Sequence, residues 1–464
     1  MTDKHFSIDE FSYEYLEEIF NPTKRSLNRI KYINNYFEGL KTERKIKNIT
    51  IVKENDYIDK FYLRDYSRYY AESFHRLHNR SERLHFFSKS FSEKEFSSMI
   101  ISGSTEKFIG EKREYDYLGH LTLKPVKDQF GSKLIGRTAI SPYPEKQAQN
   151  TRHYITTNNK CSLFGIDLKL KSLPFHEQDI AVGACASACL WMTQFPIQTW
   201  YDIPIRSIAE ITELSRLQGL YDTTPAPLFP SEGLTPSEIA SYLEKLGLHF
   251  QIFDINALIN KKIELKTKQG YEVSINQLIE DIIKAYSNSG FPIICNLDMG
   301  DYGQGHAVLI SGYKEDKNGE IIELYLHDDK IGPYCRTKFH KDYKTHWFNH
   351  WTDSKEVSKI QLRKFIIPVD PLVKLHYLQC FEKFYSWKHM FERIEYKLYH
   401  VSKYRNAIFT KKFQDKQKIL SKNMPRYIWV AHIYDDDKNH NTRDAIFDAN
   451  RIYLRKPETI IEFN

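Results

Sequence analysis

Three short apolar runs, Phe291–Leu297, His306–Tyr313 and Ile321–Leu326, follow one another closely, each bounded by Gly, Asp or Asn. Runs of this length are too short for buried helices, and nearly continuous hydrophobicity suits strands covered on both faces, so the spacing predicts central strands of one sheet. The polar loop with Asp316, Asn318 and Gly319 predicts an antiparallel hairpin between the last two. Upstream, Ala184 to Gln194 is apolar and rich in helix formers, which predicts a buried helix to pack on that sheet. Thr235-Pro236-Ser237-Glu238 is a helix start, with a capping Thr, Pro in the first turn and Glu three residues on, and Gly247 fits its stop. A further helix is expected from Ile275 to Tyr286.

The chain has 464 residues, more than one ordinary domain needs. Residues 1–170 are expected to form an α+β leader domain. Its strands fall near Ile49–Val52, Leu84–Phe87, Tyr117–Leu123 and Ile135–Ile140. A helix is expected from Phe61 to His78, where Tyr62, Tyr66, Tyr70 and Phe74 recur at four-residue spacing. Residues 171–353 hold the sheet and buried helix, and 354–464 form a C-terminal extension. In the extension a strand is expected over Lys359–Val369. A basic helical stretch over 371–422 carries ten Lys and two Arg against three Glu and one Asp. Strands are expected at Tyr427–Val430 and Ala445–Asp448. The fold class is therefore α+β throughout.

A net charge of +7 over this length is mild and implies neither nucleic acid nor a membrane surface as partner. The basic stretch, interleaved with aromatics, reads as amphipathic helices with a solvated Lys face. The six cysteines are scattered without a CxxC pair or zinc spacing, which points to reduced thiols and a cytoplasmic home. His327, His340, His346 and His350 lack partner ligands at metal spacing, and His432 with Asp435–Asp437 reads as a solvated turn, so no metal or other cofactor is expected. The charged N-terminus has no apolar core segment of the kind a signal peptide needs, and no apolar stretch nears the ~20 residues of a membrane helix.

Cys185 stands where a Gly-containing loop meets the start of the apolar helix, in Gly183-Ala184-Cys185-Ala186-Ser187. Unpaired N–H groups and the helix dipole stabilise a thiolate at such a position, and small neighbours leave room for a substrate. A thiol nucleophile needs a base, and His306 follows the Gly303-Gln304-Gly305 approach at the mouth of a strand. The base needs an acceptor on its other ring nitrogen, for which Asp328 is the candidate and Asp329 its rival. If Tyr313 faces Ile321 across the hairpin, His306 directly faces Asp328, about 5 Å away at Cβ, and His327 points to the opposite side. Gln178 is placed to offer an amide N–H to an oxyanion beside the backbone N–H of Cys185. Cys189, one turn on, reads as a packed core thiol.

Taken in order, Gln178, Cys185-x-x-x-Cys189-Leu190, the run Gly305-His306-Ala307-Val308-Leu309-Ile310-Ser311-Gly312-Tyr313 and the Asp-bearing strand end at Asp328 resemble the C39-type papain-like cysteine peptidases. The resemblance covers roughly residues 171–345. It implies a papain-like core, with the Cys-bearing helix packed on an antiparallel sheet bearing His and Asp. It also implies a Cys185–His306–Asp328 triad with Gln178 at the oxyanion, a peptide or protein substrate, and hydrolysis through a thioester. An inactive binding scaffold is a second expectation. Acyl transfer or glutamine deamidation by the same triad is a third.

Overall fold

The computed structural model describes residues 5–21, 27–74, 76–103, 117–128, 131–146, 149–179, 181–216, 229, 233–260, 274–298, 305–339, 344–345, 360–380, 384, 391, 393–434, 441–452 and 456–463. Gly303, Gln304, His340, His346, His350, Asp435–Asp437 and parts of the 371–422 stretch lie outside them.

The chain is α+β, as its patterning implies. In the first part, strands β1 (Phe6–Glu10), β2 (Thr50–Tyr57), β3 (Ser81–Phe87), β4 (Tyr117–Lys127) and β5 (Lys133–Ile135) form an antiparallel sheet in sequence order, with β6 (Ala139–Ile140) also paired to β4. Helices α1 (Tyr13–Phe20), α2 (Leu27–Arg44), α3 (Lys60–Arg68) and α4 (Glu93–Ser102) accompany it. The tyrosine-spaced helix is shorter than its periodicity suggests. It ends at Arg68, continues only as a 3-10 turn over Tyr70–Glu72, and leaves Phe74 almost fully exposed.

The central sheet runs β10 (His249–Asp254), β16 (Ile360–Val369), β11 (Ile293–Asp298), β12 (His306–Glu315), β13 (Ile321–Asp328) and β14 (Gly332–Lys338), all antiparallel. β15 (Lys344–Thr345) joins β16, and β7 (Thr151–Tyr154) continues along β12 where β11 stops. At that junction a Cβ on Gly312 would lie 2.2 Å from the His153 carbonyl oxygen, so only glycine allows the two backbones to pair. A separate hairpin is made by β8 (Thr157–Leu163) and β9 (Ile166–Ser172).

Helix α5 (Cys185–Gln198) lies against β12 and β11, and α6 (Ile208–Ser215) and α7 (Pro236–Lys245) pack beside it. α7 begins as its sequence dictates: Glu238 N–H donates to Thr235 Oγ1 at 3.2 Å, and the Glu238 carboxylate accepts from Thr235 N–H at 2.8 Å. Helices α8 (Ile255–Asn260) and α9 (Ile275–Asn288) complete this part.

The boundaries expected at 170/171 and 353/354 do not separate independent cores. β7 comes from the leader and β16 from the extension, yet both are strands of the central sheet. One apolar cluster runs without a break from Leu16 and Phe37 through Leu190 and Trp191 to Leu309 and Tyr325. Arg152 adds a polar tie, donating to both Glu43 oxygens at 2.6 and 2.9 Å and to the Tyr325 hydroxyl at 2.8 Å.

The extension departs from its helical reading. Residues 393–400 form strand β17 (Arg393–His400), which pairs with β18 (Tyr427–Tyr434), then β19 (Arg443–Asp448) and β20 (Thr459–Glu462); short helices at Val401–Phe409 and Lys416–Ser421 follow β17. Tyr396 and Leu398 are buried with period two, and this alternation outweighs the helical spacing of the aromatics around it. His432 is not part of a solvated turn: it is buried, 2.6 Å from Asp444 and 3.0 Å from the Tyr399 hydroxyl. No helix among the described residues is long and apolar enough to cross a membrane.

Candidate active site

The start of α5 differs from its neighbours. α4, α6 and α7 each open with a Ser or Thr cap and a reciprocal Glu, whereas Ala184 caps α5 with no side-chain hydrogen bond. The first-turn N–H groups of α5 are thus left for something other than a capping side chain, and Cys185 is the first residue there. Its side chain is partly exposed, while Ala186 to Gln194 behind it are buried. Gly183 sets the approach: a Cβ on it would meet Ile208 Cγ2 at 2.4 Å and Ser187 Cβ at 2.8 Å.

His306 opens β12 opposite Leu297 of β11 and is 3 % exposed. Its Nε2 is 3.0 Å from Asp328 Oδ1, and Asp328 is wholly buried. The Cys185 side chain lies close enough to the ring to favour its charged form. Nε2 is engaged by Asp328, and the buried Nδ1 is the ring nitrogen that remains for the sulfur. Sulfur, imidazole and carboxylate are thus grouped at the start of α5 and β12.

The hairpin register differs from the expected one. Tyr313 faces Leu324 rather than Ile321, Glu315 faces Ile321, and Leu309 faces His327, with irregularities at Ile310/Gly312 and Lys314/Glu315. The turn is tighter than assumed: Asp316 Oδ1 accepts from Asn318 and Glu320 N–H, both at 2.9 Å, so the strands pair farther toward it. Asp328 consequently meets His306 on the diagonal rather than directly across, a distance long side chains still span. The same Asp328 oxygen, Oδ1, also accepts from Lys330 N–H at 2.9 Å. His327 turns away from the site, its ring stacked between Phe175 and Tyr334.

The electrostatics follow from burial. Desolvation disfavours the imidazolium of His306, but the charge and hydrogen bond of Asp328, then Cys185 and Asp329, outweigh it and hold the ring protonated well above its ordinary range. Asp329 is the second carboxyl beside the ring, 3.7 Å from Nε2, wholly buried and without a hydrogen bond to either oxygen. Burial pushes its carboxyl up to about 7, against the pull of His306. The Cys189 thiol, buried one turn from Cys185, is driven up by desolvation and then by Asp329, so it stays a protonated core thiol. His306, Asp328 and Asp329 also bring three ligand-type atoms within 4.8 Å of one another.

Gln178 is half-buried in the loop before α5, and its amide makes no hydrogen bond with a described residue. The loop folds back on itself: Asp179 and Gly183 exchange backbone hydrogen bonds of 3.0 and 2.8 Å, which returns the chain beside Gln178 to within two residues of Cys185. Sequence reasoning missed the anchoring of this loop. Glu177, Asp179, Lys124 and Tyr70 are buried and linked to one another or to the leader, and the only signal was the polar cluster His176-Glu177-Gln178-Asp179 in apolar surroundings.

No protein-family model matches the chain, and a search of curated proteins finds none with significant similarity.

Proposed function

We propose that the chain is a papain-like cysteine hydrolase of amide bonds, with Cys185 as nucleophile, His306 as acid–base and Asp328 as the group that orients and charges His306. The observation that carries this reading is the grouping of a partly exposed sulfur at an uncapped helix start with a buried imidazole and a buried carboxylate 3.0 Å from the ring.

In the first step the Cys185 sulfur adds to the substrate carbonyl carbon, and the carbonyl π pair moves onto oxygen. Backbone N–H of Cys185 and the Gln178 amide stabilise that oxyanion. As the C–N bond breaks, imidazolium His306 passes its proton to the departing amine, leaving a thioester on Cys185. Neutral His306 then takes a proton from water, the hydroxide adds to the thioester, and the acid departs as sulfur and ring regain their starting state. Asp328 keeps the ring in register throughout. An amine in place of water gives acyl transfer, and a Gln side chain as substrate gives deamidation. The free state of the six cysteines suits a reducing compartment.

The test is selective alkylation. Iodoacetamide at low dose and near-neutral pH labels one thiol rapidly, the label maps to Cys185, and the Cys185→Ala and His306→Ala proteins lose the fast phase. Equal labelling of the wild-type and Cys185→Ala proteins refutes the enzyme reading and favours a binding scaffold. Product analysis with and without added amines separates transfer from hydrolysis.

A further inference from the structure

The segment carrying Gln178 is held almost entirely by the first third of the chain. Glu177, immediately before it, forms an ion pair with Arg29 of α2, and Arg29 also reaches Asp128 at 3.2 Å and the Lys133 carbonyl at 3.2 Å. The Glu177 carboxylate accepts from Ile135 N–H at 2.7 Å, and Glu177 N–H returns a bond to the Ile135 carbonyl at 3.1 Å. Asp179, immediately after Gln178, is bound by Lys124 Nζ at 2.8 Å and by the Tyr70 hydroxyl at 2.5 Å. Just upstream, Phe175 and Thr138 exchange backbone bonds of 2.7 and 2.9 Å.

The alternation is informative. Glu177 and Asp179 are buried and face the leader, whereas Gln178 between them is half-buried, as expected if it projects to the opposite side. Lys124 is wholly buried. A buried Lys–Asp pair is a poor source of stability compared with apolar side chains of the same size, but it fixes a unique geometry. Burial would raise the Asp179 carboxyl, yet Lys124 and Tyr70 hold it below its ordinary range, so the clamp is ionic.

We infer that the leader is a positioning element of the reaction, its Arg29–Glu177 and Lys124–Asp179–Tyr70 contacts bracing from both sides the segment that presents Gln178 to the oxyanion formed at Cys185. This rests on the reading of Gln178 and Cys185 given above. Lys124, Tyr70 and Arg29 are positioning residues, acting through the backbone of 177–179 without touching substrate.

Two reactions of the same sulfur separate positioning from general damage. Acylation by p-nitrophenyl acetate passes through an oxyanion: a C–S bond forms to the carbonyl carbon and nitrophenolate leaves. Alkylation by iodoacetamide is direct displacement of iodide at a saturated carbon and develops no oxyanion. In the full-length protein, Lys124→Met is expected to slow acylation about 10- to 100-fold while alkylation changes less than about twofold. Tyr70→Phe, which removes one hydroxyl and keeps the buried ion pair, slows acylation to a lesser degree and carries the test if Lys124→Met does not fold. Gln178→Ala and the double variant Lys124→Met/Gln178→Ala acylate equally slowly, because the clamp works through Gln178. Acylation unchanged in Lys124→Met and Tyr70→Phe, losses that multiply in the double variant, or acylation and alkylation falling in parallel each overturn the inference. Failure of the underlying assignment is seen in the unmutated protein alone, as a Cys185 thiol that alkylates no faster than the other thiols.

Discussion

Asp328→Asn isolates the contribution of one buried charge. The substitution keeps the side-chain shape, and Asn Oδ1 still accepts from Lys330 N–H, so the β13–β14 turn is expected to hold. What is lost is the attraction between a carboxylate and an imidazolium whose nearest atoms are 3.0 Å apart. At an effective dielectric of about 20 that attraction is about 5.5 kcal/mol, or about four powers of ten in the proton affinity of the ring. Asp329, 3.7 Å from Nε2, replaces part of it in the variant, which brings the expected net loss to about 2–3 kcal/mol. His306 then no longer stays protonated far above neutrality, and the positive charge it sets beside the sulfur is confined to lower pH. The assay is the pH dependence of alkylation at Cys185, followed by mass spectrometry of the labelled peptide. Asp328→Asn is expected to lower the proton affinity of the ring about 30- to 150-fold, following that energy, and so to move the alkaline end of the window of fast alkylation down from about 10 towards neutrality. Turnover falls by more, about 10³- to 10⁴-fold, since the orientation of the ring is lost as well. An unchanged alkylation profile in Asp328→Asn refutes the argument that this carboxylate charges the imidazole.

Asp329→Asn probes the second carboxyl. A carboxyl raised from 3.8 to about 7 contributes stability at low pH that is lost as pH climbs through that interval, and His306, raised from 6.5, loses its contribution between there and about 10. Urea midpoints of wild-type protein are therefore expected to fall relative to Asp329→Asn between about pH 4 and 7, and parallel pH curves for the two proteins rule this out. Gly183→Ala forces a Cβ to within 2.4 Å of Ile208 Cγ2 and 3.0 Å of Thr212 Oγ1, so a loss of about 1–3 kcal/mol in urea unfolding is expected; wild-type stability would show that α6 gives way without cost. EDTA is expected to leave the alkylation rate and any amide hydrolysis unchanged. Loss of either, restored by a divalent metal, would instead make His306, Asp328 and Asp329 a metal site.

The parts of the site written in contiguous sequence were legible, and those that depend on distant packing were not. Cys185 before an apolar helix and His306 before an apolar strand are local patterns, and α5 and β12 form where those patterns lie. The partnership of His306 and Asp328 was foreseen through a register off by two positions, because the Asp316 turn closes through side-chain hydrogen bonds that loop length alone does not reveal. Lys124 falls just past the strand expected over Tyr117–Leu123, where the sequence gives it no partner. In fact β4 is covered on both faces by other parts of the chain, and only the pairing with Asp179 explains a buried ammonium there. The strand at 393–400 was hidden for a related reason: its period of two becomes decisive only once β18 lies beside it.

The insertion of β16 between β10 and β11 bears on how the polypeptide reaches this state. A chain ending near residue 353 contains every side chain proposed for catalysis, yet the edges of β10 and β11 that take up β16 are bare. Such exposed edges invite pairing with other chains, and closing the sheet requires a contact between segments more than a hundred positions apart in the case of β10 and β16. The sheet is thus completed late in synthesis, and a product truncated there would be prone to aggregate.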